Sequence, residues 1–90
     1  MMYPYITLAD ETEIVHSQII EENGIEKVEV HFERPTENGF DCIRFELPTY
    51  KILFKDGNYT EKEIKMFEEF LQNNAHLIYK YAKSGGVKIA

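Results

Sequence analysis

The chain has 90 residues, 43 % of them hydrophobic, with a net charge of −6 and a single cysteine, Cys42. That length makes one domain, 1–90, large enough to bury a modest core unaided. A lone cysteine excludes an internal disulfide framework. No apolar run approaches the 18 or so residues of a membrane span, and the start, MMYPYITLADET, has neither a basic segment nor a long apolar one. The expected setting is soluble, reducing and cytoplasmic, with no membrane.

The charge is uneven. Residues 1–47 carry 11 acids and 3 bases, whereas residues 48–90 carry 5 acids and 7 bases. Nucleic-acid binding needs clustered Lys and Arg, so it is not expected. An acidic half and a mildly basic half do permit association with a basic partner or with a second copy of the chain.

In chain order, Tyr3 to Leu8 reads as a short strand with Pro4 near its start, where a missing N–H is tolerated. A polar turn follows, then a second strand over Glu13 to Ile20. Its facing is undecided, because both alternate sets of side chains mix apolar and polar residues. Asn23-Gly24 is a strong hairpin signal. The next strand, Glu26 to Arg34, alternates cleanly. Val28, Val30 and Phe32 face one way and Lys27, Glu29, His31 and Glu33 the other, which implies an antiparallel sheet with one buried and one wet face. After a loop from Pro35 to Gly39, the strand Phe40 to Leu47 points Ile43, Phe45 and Leu47 inward. Pro48 ends it. Residues 49–56 fit a strand or a helix of one and a half turns, and Thr49 as cap with Gly57 as stop favours the helix.

The dominant element is a long amphipathic helix over Thr60 to Lys83. Thr60 and Glu63 have the spacing of a reciprocal capping box, and Tyr59 with Ile64 that of a hydrophobic staple. Ile64, Phe67, Phe70, Leu71, Ala75, Ile78, Tyr81 and Ala82 share one side. Ser84-Gly85-Gly86 stops the helix. Asn74 interrupts the apolar side, and Asn73-Asn74 is a weak helix former. A straight helix of this length, about 35 Å at 1.5 Å per residue, would outrun strands of six to eight residues. It is therefore expected either to bend at Asn73-Asn74 or to overhang the sheet. Val87 to Ala90 forms an apolar tail.

The predicted fold is α+β: an antiparallel β-meander of three to four strands packed on one long C-terminal amphipathic helix. The expected core contains Ile6, Leu8, Val28, Val30, Phe32, Ile43, Phe45, Leu47, Leu53, Ile64, Phe67, Leu71 and Ile78.

No motif commits the chain to a reaction or a cofactor. There is no Walker sequence, GxSxG, HExxH or CxxC. Glu29-x-His31-x-Glu33 places a carboxylate, an imidazole and a carboxylate on one strand face, a weak candidate for metal or acid–base work, and a solvated sheet face is the expected account of it. Cys42 has Arg44 two residues away and His31 as a candidate base across the hairpin, but a small half-buried filler is its expected role. His16 reads as structural and His76 as solvated. The tyrosines around the helix and the tail make the stronger pattern, since a Tyr ring buries apolar area while its hydroxyl stays wet. Ile78, Tyr79, Tyr81, Val87 and Ile89 are the expected interface residues. The leading functional expectation is a small non-enzymatic interaction or regulatory module acting as a homodimer or with another protein. A small enzyme using Glu29, His31 and Glu33 ranks second. A weak nucleic-acid binder through Lys62, Lys65, Lys80 and Lys83 ranks third.

Overall fold

A computed structural model describes residues 1–85. The fold is the expected α+β arrangement of an antiparallel sheet and one C-terminal helix. The strands are β1 (Met2–Thr7), β2 (Glu13–Ser17), β3 (Ile20–Glu22), β4 (Ile25–Thr36), β5 (Gly39–Leu47) and β6 (Lys51–Asp56), followed by α1 (Glu61–Ser84). Six strands, rather than three or four, form the sheet; its order is β1-β2-β4-β5-β6, with β3 also paired to β4.

Two differences account for the extra strands. The expected strand Glu13 to Ile20 is split by a jog. Ile14 and His16 pair with Phe32 and Val30, while Ile20 pairs with Lys27, which leaves one extra residue on the β2–β3 side. At the jog the Glu29 N–H donates to Ser17 Oγ at 3.0 Å, and that hydroxyl donates to Gln18 O at 2.7 Å. A serine side chain thus replaces a lost ladder acceptor. The register also decides the facing: Ile14 and His16 point inward with Val30 and Phe32.

The second difference is β6. Residues 51–56 form a strand, not a helix. The Tyr50 N–H donates to Glu46 O at 2.7 Å, Tyr50 takes φ 61°, and the chain folds back along β5. A short apolar run has no period strong enough to choose its own state. Here the free edge of β5 supplies the backbone partners. The β4–β5 loop is also tighter than Pro35 to Gly39, since Thr36 and Gly39 already pair and only Glu37 and Asn38 lie between them.

The helix starts as its sequence dictates. Glu63 N donates to Thr60 Oγ1 and Thr60 N donates to Glu63 Oε1, both at 3.1 Å. Tyr59 meets Phe67 edge-on at 5.8 Å. Gly85 closes the helix at φ 82°, its N–H donating to Tyr81 O. There is no break at Asn73-Asn74. A 24-residue helix of about 36 Å accounts for most of the molecule's longest dimension, 38 Å. It lies on one face of the sheet, with Phe32 stacked on Phe67 at 4.3 Å. Val28, Val30, Phe32, Ile43, Phe45, Leu47, Phe67, Leu71 and Ile78 are buried as expected. Ile6 and Leu53 are not, being 48 % and 41 % exposed on the two outer strands. Ile14, Tyr59, Ala82 and His16 are buried as well, in addition to the expected core.

Candidate interaction surface

The five-strand path β1-β2-β4-β5-β6 ends in two outer strands, each with a row of backbone groups without a strand neighbour, and these two edges differ. On β1, Pro4 has no N–H to offer, and the register slips between Pro4 and Ile6. Tyr5, the residue at that slip, turns its ring to the helix, 6.1 Å from both Phe70 and Tyr81, and its hydroxyl donates to Asn74 Oδ1 at 2.7 Å. Proline, a bulge and a strap to the helix blunt this edge.

On β6 all six residues, Lys-Ile-Leu-Phe-Lys-Asp, are exposed. Ile52, Leu53 and Phe54 retain 38 %, 41 % and 45 % of their accessible surface. Isolated exposed apolar residues are ordinary, but three in succession on an outer strand combine apolar contact area with free backbone donors and acceptors. β6 also carries a bulge. Arg44 pairs with Phe54 and Phe45 with Ile52, so Leu53 is the extra residue. The Arg44 guanidinium lies 4.8 Å from the Phe54 ring centre and covers one side of it. Phe40, 64 % exposed, lies on the same open face at the far end of β5.

The interface residues expected from sequence lie elsewhere. Ile78 is fully buried under the helix. The Tyr79 hydroxyl donates to Glu26 O at 2.9 Å, and Tyr81 is half-buried against Tyr5. These side chains tie the helix to its own sheet. Val87 and Ile89 lie outside the described residues.

Glu29, His31 and Glu33 do share the open face, yet His31 Nε2 reaches only Glu29 Oε1, at 3.3 Å. Among the described residues no group of three or more His, Cys, Asp or Glu is placed to hold a metal ion. Burial pushes the Cys42 thiol above its ordinary pKa and outweighs the nearby Arg44, the reverse of what an activated nucleophile needs. His16 is fully buried between Tyr3 and Tyr5, its Nδ1 2.8 Å from Ser17 O, so that nitrogen carries the proton. On the helix, Lys83 pairs with Glu26 at 3.6 Å. No helix among the described residues is long and apolar enough to cross a membrane.

One polar cluster builds the corner next to β6. Arg34 donates to Glu63, to Asp41 Oδ2 at 3.0 Å and to Asn58 O at 2.8 Å, and it lies 4.6 Å from the Tyr59 ring centre. It joins the ends of β4 and β5 to the start of α1. Sequence alone did not single out Arg34, because its three polar partners come from separate segments. Its position two residues beyond Phe32, on the inward side, was the available signal.

Comparison with protein-family models, with curated proteins and with solved structures gives no match.

Proposed function

We propose that this chain is a non-enzymatic protein-interaction module that binds through the outer edge of β6. The supporting observation is the asymmetry between the two sheet edges: β1 is blunted by Pro4, a bulge and the Tyr5–Asn74 strap, whereas β6 presents Ile52-Leu53-Phe54 in a row. Strand addition at such an edge draws affinity from main-chain hydrogen bonds and specificity from alternate side chains. On this reading the module self-associates and works in a reducing, cytoplasmic setting, in keeping with its single cysteine.

The test is sedimentation of the wild type and of Leu53→Asp, with circular dichroism as the fold control. Leu53 is exposed, so the charge leaves the core untouched. The wild type should sediment as an oligomer and Leu53→Asp as a folded monomer. A monomeric wild type, or an oligomer indifferent to the substitution, would remove the reading.

A further inference from the structure

The β6 edge carries more information than its apolarity. A six-residue strand that pairs antiparallel with its own copy over its full length sets its first residue opposite the partner's last. On β6 those residues are Lys51 and Asp56, of opposite charge. The next pair sets Ile52 against Lys55, and the central pair sets Leu53 against Phe54.

Residues directly opposite in an antiparallel ladder must project from the same face of the sheet. In a regular strand, positions 51 and 56 are separated by an odd number of steps and project from opposite faces, so this register would be forbidden. The bulge reverses that outcome. Lys51 pairs with Glu46 and Asp56 pairs with Cys42, and these two β5 residues are four apart on the open face. Ile52 pairs with Phe45 and Lys55 with Ile43, both on the helix face. The single extra residue at Leu53 therefore brings both outer pairs into facing agreement. Neither Lys51 nor Asp56 forms an ion pair among the described residues, so both charges are available.

We infer that the occupant of the β6 edge is a second copy of this chain, paired antiparallel about a two-fold axis at Leu53 and Phe54, with Lys51 of each copy facing Asp56 of the other. This rests on the edge reading above and adds the partner and the register. The five-strand path β1-β2-β4-β5-β6 then continues into its copy as one ten-strand sheet. The axis is perpendicular to the sheet, so both helices lie on one face and the two open faces become continuous. The interface is isologous, each charge pair occurring twice, and it closes at two copies.

Symmetry supplies a sharp test by native mass spectrometry. Lys51→Glu sets Glu opposite Asp at both ends of the interface, and Asp56→Lys sets Lys opposite Lys at both ends. Each variant alone should dimerise about tenfold more weakly than wild type, because two exposed pairs turn from attraction to repulsion. Mixed together, the two variants restore both opposite-charge pairs, so the heterodimer should form with wild-type affinity while the homodimers stay weak. Circular dichroism confirms that each variant is folded. A wild-type dimer lost in Leu53→Asp yet indifferent to the charge variants would overturn this register and leave the edge reading standing. A wild-type dimer indifferent to Leu53→Asp, or a monomeric wild type, would overturn both.

Discussion

The Tyr5 hydroxyl donates to Asn74 Oδ1 at 2.7 Å, joining the first strand to the middle of the helix across 69 residues of sequence. Asn74 also donates its amide to Phe70 O at 2.8 Å. The polar residue that interrupts the apolar side of the helix is therefore satisfied at both ends, and α1 passes through Asn73-Asn74 unbroken.

Removing the hydroxyl should expose the value of that strap. Tyr5→Phe leaves a half-buried amide oxygen without its donor and should cost about 1 kcal/mol. For a domain of this size that is a drop in Tm of about 4–8 °C. In a double-mutant cycle with Asn74→Ala the two losses should fall short of additivity, since they remove one shared bond. Full additivity in thermal unfolding would show the bond contributes nothing.

The start of the helix predicts a loss of stability in acid. The Glu63 carboxyl is held below its ordinary pKa of 4.5, first by the Thr60 N–H and then by Arg34. A depressed carboxylate contributes stability that is present above its unfolded pKa and is lost as pH falls through its folded one. Urea midpoints measured from pH 6 downward should therefore begin to fall below about 4.5 and fall less steeply for Glu63→Gln. Thr60→Ala, which removes the reciprocal cap, should cost about 1 kcal/mol at neutral pH.

Tyr59 predicts the opposite limb. Burial raises its phenol from 10.0 to about 12, against the opposing effect of Arg34. The folded state then holds a proton that the unfolded chain has released. Stability contributed by the neutral phenol is complete below pH 10 and declines as pH rises toward about 12. Alkaline unfolding followed by circular dichroism should show this decline, and Tyr59→Phe should flatten it. The same slope in both proteins would assign the effect to other groups.

Gly57 closes β6 at φ 115°, and a Cβ there would run into Asp41, the partner of Arg34. Gly57→Ala should destabilise the fold by more than about 1 kcal/mol, because it combines backbone strain with displacement of a paired carboxylate. The corresponding substitution at Gly24, where a Cβ meets nothing within 4 Å, carries the backbone strain alone and should cost less. Equal urea midpoints for the two variants would contradict this.

How far the sequence could be read follows from these contacts. The helix was legible at both ends because its signals are local: Thr60 with Glu63, and Gly85 after the last turn. The inward sides of β4 and β5 were legible because Val28-Val30-Phe32 and Ile43-Phe45-Leu47 alternate without exception. The facing of β2 was not, since His16 occupies a core position and Ser17 serves a bulge, both fixed by a register that sequence period does not carry. β6 is undecided between helix and strand from sequence, with helix favoured, because Thr49 and Gly57 mimic cap and stop while the free edge of β5 decides the outcome. Ile78, Tyr79 and Tyr81 were marked as an interface on their chemistry, and the structure engages them with its own sheet. The same ambiguity hides the β6 edge in the sequence, because only a strand at 51–56 makes an edge.

The most direct measurement is hydrogen exchange of the backbone amides at increasing protein concentration. If the β6 edge pairs with a second copy, the amides of residues 51–56 that point away from β5 should exchange more slowly as concentration rises, while those of β1 stay constant. Exchange of those outward amides that is fast at every concentration would contradict the account. So would slow exchange that does not depend on concentration, which would assign the edge to a segment of the same chain.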